Sequence, residues 1–251
     1  MPVDWTILHV ILVLFVATVI RSAFGFGEAL IAVPLLALTM PVEQAAPLAV
    51  LVSITVAFVI LLQDWRLVHV RSAGWLVLFT LMGIPLGLLL LRTASESAVK
   101  AILAAIIMGF SLHALIGRRK YEFTDDRFAW FFGFNAGVLG GAYGMNGPPL
   151  AIYGALRRWT PEYFRATLQA YFLPASVAGM AGYAIAGLWT PAVNHFYLFS
   201  LPGVLLAILL GRILNRRMHA PRFISYVYVA LTAVGVVLLL QAIQGWSTIL
   251  R

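Results

Sequence analysis

Six apolar stretches, at 45–63, 72–91, 99–116, 166–188, 196–211 and 223–240, each approach the roughly 20 residues a helix needs to cross the hydrocarbon core of a bilayer. No soluble core absorbs so much apolar chain. Of 251 residues, 62% are hydrophobic and 10% charged, against about 45–50% and 25% in soluble domains. In lipid every backbone polar group must be satisfied within the chain, and the alternating pattern of a membrane barrel is absent. The chain is therefore expected to be an all-α integral membrane protein with the lipid bilayer as its first partner.

Two further apolar stretches, 5–38 and 128–156, are broken near the middle. The first break reads Ser22-Ala23-Phe24-Gly25-Phe26-Gly27, and the second runs from Gly140-Gly141 through Tyr143-Gly144-Met145-Asn146-Gly147 to Pro148-Pro149. Glycine weakens a helix interior by about 1 kcal/mol and proline by about 3, so each break should divide its stretch into two half-helices. In the second stretch halves of about 14 residues, near 21 Å at 1.5 Å per residue, fall short of a core of about 30 Å. That pair is thus expected to dip into the membrane and return.

Charge placement sets the expected orientation. The net charge is +8, yet 13 of the 17 basic residues fall in four short connections rather than on one amphipathic face. These connections hold Arg66 and Arg71; Arg118, Arg119, Lys120 and Arg127; Arg157, Arg158 and Arg165; and Arg212, Arg216, Arg217 and Arg222. They read as positive-inside signals, not as a nucleic-acid surface. With all four cytoplasmic and both hairpins re-entrant, the six crossings alternate correctly and both termini lie outside a bacterial cytoplasmic membrane. The N-terminus lacks a basic n-region, so it reads as a retained segment. Trp5, Trp65, Trp75, Trp130, Trp159, Trp189 and Trp246 fall near segment ends, as in an interfacial belt.

Shifted by about 120 residues the chain matches itself: Pro41 falls on Pro161, Ala46 on Ala166, Gly83 on Gly203 and Arg92 on Arg212. The two breaks align one register shorter. Residues 1–120 and 121–251 then form two repeats, each a broken re-entrant hairpin (about 5–38 and 128–156) followed by three crossings. Three is odd, so the second copy is inverted relative to the first. Inverted repeats with interrupted helices are a transporter architecture whose substrate site lies near the midplane. Half-helices starting near Gly27 and Gly147 would aim unpaired N–H groups and positive dipole ends at the centre, which favours an anion.

The strings FGFGEALIAVP, from Phe24, and GVLGGAYGMNGPPLAIYGALRRWTPEYFRATLQAYF, from Gly137, resemble the TauE/SafE family of sulfite and organosulfonate transporters. The resemblance covers nearly the whole chain. It implies movement of sulfite, sulfoacetate or a related organosulfonate, linked to the proton gradient. The family usually carries glycine where this chain has Glu28.

Arg21 and Glu28 are the only charges well inside apolar stretches, and an intramembrane charge costs at least about 2.5 kcal/mol. Arg21 is expected to neutralise the anion and Glu28 to carry the coupling proton; the competing reading is an ion pair that only supports the hairpin. Gly25, Gly27, Gly144 and Gly147 supply backbone at the breaks, and Asn146 and Tyr143 side-chain donors, with Tyr153 nearby. Asn146 equally suits an N-cap. Arg165 and Gln169, one turn apart, are expected at the inner mouth of the pathway. His9 and His113 have no ligand partner at helical spacing, and the absence of cysteine excludes thiolate sites. With no Walker loop, HExxH string or Ser-His-Asp set, neither a cofactor, a metal nor an enzyme is expected. A secondary transporter working by alternating access is the leading reading; an anion channel lined by the two breaks is the alternative.

Overall fold

In a computed structural model the described residues are 5–37, 39–93 and 122–217, with scattered positions in 95–112 and 229–245. Eight helices account for the continuous parts: α1 (Trp5–Phe24), α2 (Glu28–Leu36), α3 (Val42–Asp64), α4 (Val70–Thr93), α5 (Ala129–Tyr143), α6 (Gly147–Leu156), α7 (Pro161–Ile185) and α8 (Pro191–Arg217). No strand occurs among the described residues. The expected crossings 99–116 and 223–240 fall largely outside them, as do Arg118, Arg119, Lys120, Arg222, His113 and Trp246.

Both breaks occur where the sequence places them, but the halves are unequal. The apolar run from Trp5 continues for 20 residues before the first glycine pair, about 30 Å of helix. The first arm is therefore of spanning length rather than a half-helix, and only α2, at 9 residues, is short. The second stretch gives arms of 15 and 10 residues.

Four described helices are both long and apolar enough to cross a membrane: Trp5–Phe24, Val42–Leu67, Val70–Leu91 and Pro191–Asn215. The helix α7, of 25 residues, has the length but is diluted by Glu162, Arg165, Thr167, Gln169 and Ser176. Its polar side chains turn inward: Arg165, Thr167, Gln169 and Ser176 are all buried. One face of this helix therefore packs its polar groups inside the protein, while Tyr163, Val177 and Ile185 on it stay exposed.

The packing has a regularity that the chain order does not show. The helix α1 runs along α8, α4 along α5, and α3 against α7; α3 also meets α8, and α4 meets α7. Exchanging the two sets, α1–α4 for α5–α8, turns α1–α8 into α4–α5 and α3–α8 into α4–α7, and leaves α3–α7 as it is. Internal prolines obey the same exchange, with Pro47 in α3 and Pro174 in α7, Pro85 in α4 and Pro202 in α8.

The longest seam, α4 on α5, is made by glycines four residues apart. Gly83 and Gly87 face Gly137 and Gly141 so closely that a Cβ at Gly87 would overlap the Val138 carbonyl oxygen and lie 2.8 Å from the Ala142 nitrogen. Close backbone approach through small residues is how membrane helices gain packing energy without a hydrophobic driving force. Thr80 adds a hydrogen bond across the seam, donating to the Gly133 carbonyl at 2.8 Å. At the α1–α8 seam Gly211 plays the same part, its position closed by the Val19 carbonyl and by Ser22.

Trp5, Trp65, Trp75, Trp130 and Trp189 are exposed, whereas Trp159 is buried. It stacks on His69 and meets Tyr153 edge-on, so it serves packing rather than the interface.

The connection into α5 is tied down by Asp126. Its carboxylate accepts hydrogen bonds from Tyr153 at 2.6 Å and Ser72 at 2.7 Å and lies 3.7 Å from Arg157 and 4.0 Å from Arg71. Partial desolvation works to raise its pKa, but these hydroxyls and guanidiniums together hold it below the ordinary carboxylate value. A depressed folded-state pKa contributes stability that is complete above the unfolded value, about 4, and is lost as pH falls through the folded one. Thermal unfolding in detergent should therefore show an acid limb below about pH 4 that Asp126→Asn diminishes, at the cost of a lower melting temperature at neutral pH.

Candidate functional site

The two breaks meet. At the first, Gly25 and Gly27 adopt φ of 88° and 100°, the left-handed region that glycine enters without steric cost. Gly25 donates back to the Arg21 carbonyl at 2.6 Å. It also has no room for a side chain, because a Cβ would lie 3.1 Å from the Arg165 Cα. At the second, Gly144 takes φ 67° and donates to the Gly140 carbonyl at 2.8 Å. A Cβ on Gly147 would touch Phe26 at 3.6 Å and the Gly27 nitrogen at 3.8 Å. Residues 120 apart in sequence are thus neighbours.

From this junction α2 and α6 resume with their N-termini turned to one cavity of about 20 Å³, lined by Arg21, Gly27, Glu28, Ala29, Leu30, Ser53, Gly144, Met145, Asn146, Gly147 and Phe172. That is space for about one water. The two ends differ in what they offer. Pro148 and Pro149 occupy the first turn of α6 and carry no N–H. The first bond of α2 runs from the Ile31 nitrogen to the Gly27 carbonyl, at 3.3 Å, so the preceding N–H groups of Glu28, Ala29 and Leu30 have no intrahelical partner. Neither helix has a side-chain cap. The cavity therefore has free backbone donors on the α2 side.

Its charge comes from α1. Arg21 is 3% exposed and ion-paired with Glu28, which is 2% exposed. The guanidinium also donates from Nη1 to Ser53 Oγ at 2.7 Å, and from Nη2 to the Ser53 carbonyl at 3.3 Å and Gln169 Oε1 at 2.9 Å. It lies over the Phe172 ring at 4.6 Å, a cation–π placement that favours a desolvated arginine. Nε is buried with no hydrogen-bond partner. Thr18 donates to the other carboxylate oxygen of Glu28 at 3.2 Å, and Gln169 Nε2 donates to the Gly25 carbonyl at 2.9 Å. One glutamine thereby ties the guanidinium to the broken backbone.

A second, smaller cavity of about 10 Å³ adjoins, with Gly144 and Asn146 in both linings and Thr80, Gly140, Ser176 and Gly179 among its walls. Ser53 lines the first cavity and Ser176 the second, and their hydroxyls are 2.9 Å apart. The Tyr171 hydroxyl pairs with Thr80 at 2.7 Å and is hydrogen-bonded to Asn146.

Of the residues expected at the site, Arg21, Gly27, Glu28, Gly144, Asn146 and Gly147 line the first cavity, and Gln169 and Gly25 hold it together from behind. Tyr143 is buried in the last turn of α5 outside both linings, and Tyr153 points to Asp126 instead. Arg165 sits a turn further toward the α7 N-terminus, donating to the Ser22 carbonyl at 3.0 Å and ion-paired with Asp64. Asp64 also faces Arg212 at 3.9 Å, and Arg212 bonds Gln63. These residues close one end of the bundle next to the site. Sequence reasoning did not find Ser53, Ser176, Thr18 or Phe172. A lone hydroxyl or ring in an apolar helix carries no signal of period or charge. No group of three or more potential metal-ligating side chains occurs among the described residues.

No solved structure matches the chain. Over 187 residues it is 27% identical to the probable sulfite/organosulfonate exporter TauE of Cupriavidus necator, an alignment spanning 73% of this chain and 71% of that protein. The model of the sulfite exporter TauE/SafE family matches residues 10–238. The apolar bundle with its paired helix breaks is accordingly that of a member of the sulfite exporter TauE/SafE family of membrane transporters.

Proposed function

We propose that the chain is a secondary transporter of a small sulfur-containing oxyanion, namely sulfite, sulfoacetate or a related organosulfonate, bound in the cavity between the two breaks. The observation that carries this reading is the convergence of a buried arginine, unpaired N–H groups at the start of α2 and the second break on one small cavity. Anions are favoured where a helix N-terminus and a guanidinium point together. The name of the Cupriavidus necator relative supports the sulfur chemistry.

The exchange symmetry of the packing supports an inverted repeat whose halves rock about the site in the cytoplasmic membrane. Room for about one water favours a carrier over a channel, since a sulfonate enters only if the halves part. Covalent chemistry is not needed, and the energy comes from the proton gradient through Glu28. The purified protein should bind sulfite and sulfonates at least about 10-fold more tightly than simple carboxylates, a margin of about 1.4 kcal/mol. It should also accumulate them against a gradient in proteoliposomes. Equal preference for carboxylates would reject the substrate class, and passive equilibration alone would reject the carrier.

A further inference from the structure

We propose that Glu28 and the transported anion are alternative partners of Arg21, so that the site takes one monoanion, bisulfite or a sulfonate, together with one proton on Glu28. This rests on the cavity being the substrate site. At rest the guanidinium has its Nη donors filled by Glu28, Ser53 and Gln169, with Nε left over. A carboxylate and a sulfonate both accept charge-assisted hydrogen bonds from a guanidinium. Glu28 is also the first residue of α2, so its carboxylate already stands where the helix dipole favours an anion. The resting site is filled by a tethered anion of the chain's own.

Charge counting gives the stoichiometry. Facing Glu28 are Arg21 and Thr18 from α1, Ser53 from α3, Asn146 at the start of α6 and Phe172 from α7, with Gln169 joined through Arg21. Arg21 is the one titratable side chain in that set. The next charges, Arg165 and Asp64, pair with each other. The cavity is neutral with Arg21 and Glu28 charged, and an added monoanion leaves an uncompensated buried charge. A proton taken from the side the anion enters restores neutrality: Glu28 becomes the neutral acid and the anion takes over the guanidinium. The Thr18 hydroxyl donates to the carboxylate and can accept from the acid, so protonation keeps that contact. A dianion leaves one excess negative charge even then.

Methanesulfonate, singly charged throughout, and sulfate, doubly charged, are the probes, titrated onto the purified protein between about pH 5 and 8. In the wild type the methanesulfonate Kd should rise about 10-fold per pH unit over the range where one proton accompanies each anion. Sulfate should bind at least about 100-fold more weakly, by the single-charge limit of the site. In Glu28→Gln the methanesulfonate affinity should be independent of pH. A flat wild-type profile, or sulfate binding as well as methanesulfonate, overturns the inference. Should Glu28→Gln not fold, titration of the wild type in two buffers of different ionisation enthalpy decides, with one proton taken up per anion supporting it and none refuting it. If methanesulfonate binds in an Arg21-dependent but pH-independent way, only the coupling fails. Absence of any sulfonate or sulfite binding removes the substrate reading and this inference with it.

Discussion

Arg21→Met should abolish sulfite transport in proteoliposomes, by at least about 100-fold, and destabilise the protein by about 3–5 kcal/mol, because it strands Glu28 as a buried charge. The informative variant is the double one. Replacing both partners with apolar residues, Arg21→Met with Glu28→Leu, should return thermal stability to within about 1 kcal/mol of the wild type. Well-packed apolar pairs often match or exceed the buried ion pairs they replace. Transport should not return, because no guanidinium remains for the anion. If the pair only propped up the hairpin, the double variant would regain activity along with stability. Melting temperature and initial uptake rate on the same preparations separate the two outcomes. Both residues are at most 3% exposed, so solvent does not soften the effect.

Gly87→Leu should prevent accumulation of folded protein. A Cβ alone at this position collides with the Val138 carbonyl oxygen and the Ala142 nitrogen, and backbone in a helix cannot swing aside as a side chain can. Gly87→Ala is then expected to cost about 1–3 kcal/mol, the usual penalty of overpacking, and leucine more. Gly74, on the same helix, has nothing within 4 Å of its would-be Cβ. Gly74→Ala should be neutral or stabilising by up to about 1 kcal/mol, since alanine is the better helix former. Yield of monodisperse protein and unfolding temperature for the three variants provide the test. A Gly87→Leu protein that folds normally would show that the α4–α5 seam is not required at this spacing.

Much of this arrangement was legible in the chain. The breaks announced themselves because glycine and proline clusters interrupt apolar runs, and Arg21 and Glu28 because charge in such runs is expensive. The unequal arms were not foreseen: the run of 20 residues before Gly25 is long enough to span a bilayer, and reading the stretch as two half-helices obscured it. The helix α7 looked like an ordinary crossing from 166 to 188, yet it buries a polar face of Arg165, Thr167, Gln169 and Ser176. Arg165 and Gln169 were expected together at the inner mouth from their spacing of one turn; that α3 would bring Asp64 to Arg165 could not be read from the chain.

The sequence by itself determined where the two breaks fall, that the apolar runs suit lipid, and that the charge at the breaks is set by one arginine and one glutamate. Those properties are local: they follow from side-chain polarity, backbone freedom and the length of each run. Which groups surround Arg21 was decided only by the tertiary structure. Its partners Ser53 and Gln169 lie 32 and 148 residues away, and Gly147 rests on Phe26 across the two halves. A membrane helix satisfies its backbone internally, so nothing along the chain tells one polar side chain which other it will meet. Glycine seams and the register of packed helices settle that, and they turn two breaks into a single site.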